Sequence, residues 1–248
     1  MLTGESRLAR RELLVVAVAS AGAGLASCAH GQAPPPTDVV VETKAGKVTL
    51  RPIKHASVLM MVKGRNWYID PAQLPPGNYP KADVIFVTHE HPDHYDPKAL
   101  DMLRTPTTTV VANPRVAAMV QGAQAMKNGD TKDVLGVRVE AVPAYNMVRT
   151  QYHPKGRDNG YIFNIGGKRI YFAGDTEATP EMKALKNIDV AFLPINLPFT
   201  MPPSEAAEAA KAFKPKLLIP YHQGPANPQE VADALKGTGI AVKVMRLP

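Results

Sequence analysis

The chain carries one cysteine in 248 residues, Cys28, close to its N-terminus. No disulfide can form within one chain, and the rest of the protein has no thiolate to act as nucleophile or metal ligand. Two other common catalytic devices are missing. There is no Gly-x-Ser-x-Gly turn to activate a serine and no glycine-rich phosphate loop, since Gly166-Gly167 reads as a hairpin turn. No window repeats at a fixed period, which excludes a solenoid. The formal charge of +7 is spread along the chain rather than clustered. It describes a soluble face, or a mild attraction for an anionic substrate or a membrane surface, and gives no ground for a nucleic-acid partner.

What is present suits one globular domain: 45% of residues are hydrophobic and 21% charged, with 24 prolines marking many turns. Residues 1–28 stand apart as a targeting segment. Arg10-Arg11 precedes an uncharged small and apolar run from Leu13 to Ala29, too short and too rich in Gly and Ala for a membrane span. The paired arginines resemble a twin-arginine export signal, the general export route being the alternative. Leu25-Ala26-Ser27-Cys28 resembles a lipoprotein signal, in which the cysteine sulfur takes a lipid; the plain alternative is a cysteine at the end of an uncleaved anchor. Residues 29–37, including Gln32–Thr37, would then be a stiff tether to a domain spanning 38–248. The expected location is the bacterial envelope, on a membrane surface through Cys28.

The mature chain is organised around Thr88–Asp96, where three histidines and three carboxylates fall within nine residues. The apolar, β-branched run Ala82–Val87 before it predicts a buried strand, and Pro92 ends regular structure as these side chains arrive. His89 and His91 then project to one side, with Asp93 and His94 beyond the bend, an arrangement suited to two metal ions. Strands are predicted at Val39–Thr43, Lys47–Ile53, Ser57–Val62, Asn66–Ile69, Thr109–Val111, Val137–Ala141, Tyr161–Ile165, Arg169–Phe172, Val190–Leu193, Leu217–Pro220 and Ile240–Val244. Helices are predicted at Pro97–Leu103, Pro114–Gly122, Pro180–Leu185, Ser204–Phe213 capped by Ser204, and Asn227–Leu235 capped by Asn227. Periodicity alone supports an α/β or α+β fold. Asp175 and His222 each sit where a strand gives way to a loop, the place where side chains from separate strands converge.

These residues resemble the metallo-β-lactamase superfamily of binuclear metal hydrolases over nearly all of 47–248. The family's HxHxDH motif stands as His89, His91, Asp93 and His94, its shared aspartate as Asp175 in Ala-Gly-Asp-Thr, and its last histidine as His222 in Ile-Pro-Tyr-His. His55-Ala56-Ser57, Asp70-Pro71 and Pro220-Tyr221-His222 look like the branch with ascorbate-6-phosphate lactonase and N-acyl-phosphatidylethanolamine phospholipase D. The resemblance implies a four-layer αββα sandwich and two divalent cations, zinc first, with iron or manganese compatible with the same ligands. One metal falls to His89, His91 and His153, the other to Asp93, His94 and His222, with Asp175 shared. His153 is the available substitute, because the family's usual histidine after the strand at Val137–Val142 is replaced by Tyr145 and Asn146; the alternative is a surface-loop histidine, which leaves that metal one ligand short.

The implied reaction is hydrolysis of an ester-type bond, a phosphodiester or a lactone, by metal-activated hydroxide in a small anionic substrate. Asp93 would orient the hydroxide or accept its proton. His55 would contact the substrate or, equally, support a neighbouring ligand; Asp70 would orient a ligand histidine; Tyr145 and Tyr221 would line the pocket or simply pack. The competing class is an envelope protein that binds metal or a ligand without turnover.

Overall fold

The computed structural model describes residues 38–247. The export segment, Cys28 and the tether lie outside the described residues. The chain opens with an antiparallel meander of β1 (Val39–Thr43), β2 (Gly46–Lys54), β3 (Ser57–Val62) and β4 (Arg65–Ile69). It continues in parallel through β5 (Val84–Val87), β6 (Thr109–Ala112) and β7 (Gln124–Ala125), with α1 (Pro97–Leu103) and α2 (Pro114–Met119) as crossovers. The second half repeats the plan. Strands β8 (Thr131–Val134), β9 (Val137–Ala144), β10 (Asp158–Ile165) and β11 (Lys168–Phe172) are antiparallel. Then α3 (Pro180–Lys183), β12 (Val190–Pro194), α4 (Pro203–Phe213), β13 (Leu217–Tyr221), α5 (Gln229–Ala234) and β14 (Ala241–Val242) extend that sheet in parallel.

Two seven-stranded sheets result. Their inner faces meet through Trp67, Phe86, Tyr161, Phe163, Phe172 and Phe192, with Phe86 edge-on to Phe163 at 4.8 Å. On β5, Val84 and Phe86 face the other sheet while Ile85 and Val87 face the helix-covered side with Leu100, Leu103 and Val116. A strand buried on both faces needs the unbroken apolar run that the sequence shows. The outer face of the second sheet is closed by Met182, Ala206, Ala210, Phe213 and Val231 from α3, α4 and α5. Three apolar interiors separate four layers, so the chain forms the αββα sandwich expected from the resemblance.

The helix starts bring two corrections. Ser204 does not cap α4; Pro202 holds that place and no side chain caps the helix, because two consecutive prolines already set its entry and need no amide partner. Nor does Asn227 cap α5: Pro228 holds that place with no side-chain cap, the helix starting only at Gln229, and Asn227 Oδ1 accepts from Gln229 N at 3.1 Å in the turn before it. Strands β7 and β8 are additions that the sequence pattern does not show.

The carboxyl ends of β4, β5, β11, β12 and β13 all point to one end of the sandwich. Loops leaving those ends carry Asp70, Thr88–Asp96, Asp175 and His222, and the β2–β3 turn brings His55 to the same end.

Candidate metal centre

After β5 the chain turns sharply: His94 N and Tyr95 N both donate to His91 O, at 2.9 and 2.8 Å, and Asp96 then caps α1 by accepting from Lys98 N. The turn folds the motif onto itself, with His89 and His91 rings 4.6 Å apart and His89 and His94 rings 4.1 Å apart. Facing it is Asp175, delivered by Gly174. That glycine has φ +65°, and a Cβ there would lie 2.8 Å from Asn159 O, so no larger residue fits the bend.

Around the Asp175 carboxylate stand four imidazoles. His94 Nε2 lies 3.2 Å from Oδ1; His153 Nε2 and His222 Nε2 each lie 3.3 Å from Oδ2, and His89 Nε2 lies 3.9 Å from it. His222 Nε2 is also 3.3 Å from Asp93 Oδ2, and His55 Nε2 is 3.2 Å from that same oxygen. Three overlapping groups could therefore hold a cation: His89, His91, His153 and Asp175; His94, Asp175 and His222; and His55, Asp93 and His222. The Asp175 side is buried, while the side chains of His55 and Asp93 remain 22% and 35% exposed, which makes theirs the open side.

Each of three imidazoles is held by its other nitrogen. Asp70 Oδ2 accepts from His94 Nδ1 at 2.8 Å and from Thr88 Oγ1 at 2.8 Å, and its Oδ1 accepts from Thr88 N at 2.7 Å. Thr88 Oγ1, having donated to Asp70, offers a lone pair to His89 Nδ1 at 3.0 Å. Asp158 Oδ2 accepts from His153 Nδ1 at 3.1 Å, and Arg157 clamps both oxygens of Asp158. With their Nδ1 protons so engaged, His89, His94 and His153 turn Nε2 inward, and these three buried Nε2 atoms and Asp175 Oδ1 have no hydrogen-bond partner.

That set of orphaned atoms is the fit test for a metal. A buried acceptor without a partner costs free energy, and several aimed at one space call for a shared cation. The electrostatics agree. Burial and the neighbouring His94 hold the His89 imidazole well below its ordinary pKa, and burial and His153 lower His91. Burial also opposes charge on His94, but Asp175 and Asp70 outweigh it and hold that imidazole well above its usual value; Asp158 and Asp175 do the same for His153. Burial works against the Asp175 carboxylate, yet His222 and His94 hold it well below the usual range. The surrounding carboxylates thus favour positive charge between these imidazoles, which a divalent cation would supply there. The donor set of imidazole and carboxylate fits such a cation.

The remaining sequence expectations separate. Tyr145 does not line the pocket: its hydroxyl donates to Glu181 Oε2 at 2.8 Å, under Lys155, while its backbone is tied to Thr176 beside Asp175. Tyr221 is buried between the sheets, and its hydroxyl accepts from Gly174 N at 2.9 Å, bracing the bend before Asp175. Asn146 supports His153 from its backbone, donating to His153 O at 2.8 Å, while its Nδ2 donates to Phe199 O at 2.7 Å. Glu90 pairs with Arg115 and Arg157. Two features escape sequence reading, the Asp158–Arg157 brace on His153 and the close tilted approach of His55 to His222, ring centroids 3.8 Å apart at 44°. Removing the brace with Asp158→Ala is expected to weaken metal binding about 10–100-fold, checked by titration against a competing chelator.

Comparison with known proteins fits this geometry. Residues 49–222 match the family model described as "Beta-lactamase superfamily domain". The chain is 31% identical over 219 residues to a UPF0173 metal-dependent hydrolase of Methanopyrus kandleri, covering 78% of this chain and 94% of that protein. Among solved structures, one from Parabacteroides distasonis, described as a metal-dependent hydrolase, superposes with a TM-score of 0.83 at 43% identity over 86% of this chain and all of that one. Igni18, a metallo hydrolase from Ignicoccus hospitalis, gives 0.69 at 25% identity over 80% and 95%. With the fold, the histidine–aspartate cluster and these matches in agreement, the chain belongs to the metallo-β-lactamase superfamily, within its UPF0173 family.

Proposed function

We propose that the protein is a metal-dependent hydrolase that cleaves an ester-type bond, a phosphodiester or a lactone, in a small anionic substrate at the bacterial envelope. The observation that carries this reading is the convergence of unpartnered Nε2 atoms of His89, His94 and His153 around Asp175, with Asp93 and His55 at the open side. His89, His91 and His153 would hold one divalent cation and Asp93, His94 and His222 a second, with Asp175 shared; zinc suits the donors, and iron or manganese are compatible. Two such cations supply Lewis-acid activation of water and polarise the bond under attack. The names of the relatives, metal-dependent hydrolases, support the reaction class. The ester bond and the phosphodiesterase or lactonase branch rest on the sequence resemblance.

The chain's own groups divide the work. Burial opposes charge on Asp93, but its contacts with His222 and His55 outweigh it and keep the carboxylate ionised. Its Oδ2 is thereby an acceptor that orients the attacking water at the open face. Burial lowers the His55 imidazole despite Asp93, so His55 is neutral near pH 7 and offers one ring nitrogen to substrate. The third candidate cation group, with Asp93 and His222, gives His55 a second reading as a metal ligand.

The test is metal analysis of the purified protein followed by assays with a phosphodiester, a phosphomonoester, a lactone and a β-lactam. Hydrolysis of the phosphodiester or the lactone is expected, falling about 100-fold or more in Asp93→Ala. Inactivity of the metal-loaded protein on all four, or activity that survives Asp93→Ala, would overturn the reading. The envelope location rests on Cys28: Cys28→Ala should leave the membrane fraction, and retention there at unchanged mass contradicts lipid anchoring.

A further inference from the structure

Among the described residues, eight large apolar side chains are well exposed, and four of them, Met147, Val148, Leu197 and Phe199, lie on two loops at the metal end. Those loops form one unit. Asn146 Nδ2 donates to Phe199 O at 2.7 Å, Arg149 Nη2 donates to Thr200 O at 3.0 Å, and the Tyr152 ring stands edge-on to Phe199 at 5.1 Å. The first loop leads into His153, and Ile195 at the base of the second donates to His222 O. The apolar rim therefore flanks two of the residues that surround Asp175.

The exposure of this rim is built rather than incidental. Glu177, 1% exposed, accepts from Met147 N, Val148 N and Arg149 N and pairs with Arg149 Nη2 at 2.8 Å. A buried carboxylate thus fixes the crest that presents Val148, which is 77% exposed. Contiguous exposed apolar side chains held in place mark a surface meant to be covered.

The course of the chain indicates the cover. Strand β1 begins at Val39 opposite Leu50 of β2, and β2 runs on to Lys54 and the His55 turn. The polypeptide therefore enters the fold from the metal end. Nine residues, 29–37, separate Asp38 from Cys28 in sequence, a contour of at most about 36 Å over the ten steps. A chain held by Cys28 at a membrane would have its metal end within that distance of the surface.

We propose that Met147, Val148, Leu197 and Phe199 form a lipid-contact rim that seats the mouth of the site on the membrane carrying the N-terminal anchor. The inference rests on the envelope reading above and adds to it an orientation, with the mouth of the site turned to the bilayer interface. Apolar side chains inserted at the headgroup boundary fix how the domain sits, which a tether alone leaves free.

Because Cys28 is the only cysteine, the test can place a single label on the full chain. Metal-loaded protein with Cys28→Ser and Val148→Cys carries an environment-sensitive fluorophore and is mixed with phosphatidylethanolamine–phosphatidylglycerol vesicles. A parallel sample is labelled through Lys47→Cys, at the far end of the sandwich. The expected result is a blue shift and intensity gain at position 148, none at 47, and loss of the response when Leu197→Asp and Phe199→Asp are added. No response at 148, equal responses at both positions, persistence with the two aspartates, or a response to protein concentration without vesicles would each overturn it, the last pointing to a second copy of the chain. The readout uses no turnover, so a failed ester assay with an intact response at 148 would remove the hydrolase reading and leave the rim.

Discussion

Replacing Asp175 by asparagine is expected to lower kcat/KM about a thousandfold and to strip the protein of metal. The amide keeps the size of the carboxylate but not its charge, and it turns one acceptor oxygen into a donor. In the folded chain Asp175 Oδ1 faces His94 Nε2 at 3.2 Å, while Oδ2 faces His153 and His222, each at 3.3 Å. No other carboxylate lies within reach of all three imidazoles among the described residues. The side chain is buried, so the loss of charge is not made good by water. Elemental analysis beside steady-state kinetics checks both halves. A variant that keeps its metal and more than a tenth of its activity would remove Asp175 from the shared position.

The second large effect separates positioning from folding. Asp70→Ala deletes an acceptor that serves Thr88 N, Thr88 Oγ1 and His94 Nδ1, all buried, and should destabilise the fold by about 3–5 kcal/mol. Asp70→Asn is the sharper experiment. Its oxygen can still accept from Thr88 N, but its NH2 then faces Thr88 Oγ1 and His94 Nδ1. A donor opposite Nδ1 drives the His94 proton to Nε2, the atom aimed at the metal space. Asparagine should therefore melt within a few degrees of wild type yet lose metal affinity about 10–100-fold. Equal losses of stability in both variants would reduce Asp70 to a structural role.

Much of this site is legible in one sequence because its densest part is contiguous. His89, His91, Asp93 and His94 sit on one loop, and Asp175 and His222 announce themselves at the ends of apolar strands. What escapes is set by tertiary approach. His55, Asp70 and His222 all take left-handed backbone, with φ of 51°, 46° and 45°, and nothing in their side chains signals it. That geometry brings His55 onto His222 and Asp93, residues far apart in sequence. Asp158 is invisible as a brace because a carboxylate at a strand start reads as any solvated charge until Arg157 and His153 close on it. Tyr145 occupies the position where the superfamily places a histidine, yet its side chain swings to Glu181 and leaves that volume to His153. Strands β7 and β8 pass unnoticed for a simpler reason: both residues of β7 and most of β8 are polar or exposed, so no apolar alternation marks them.

Metal stoichiometry tests the account most directly. Wild-type protein, stripped with a chelator and reloaded with zinc, should bind two equivalents per chain. His153→Ala should lower that number to about one, since Asp93, His94 and His222 would retain their own cation. A wild-type protein saturating at one equivalent, or a His153→Ala variant that still binds two with unchanged affinity, would contradict the binuclear centre built on Asp175.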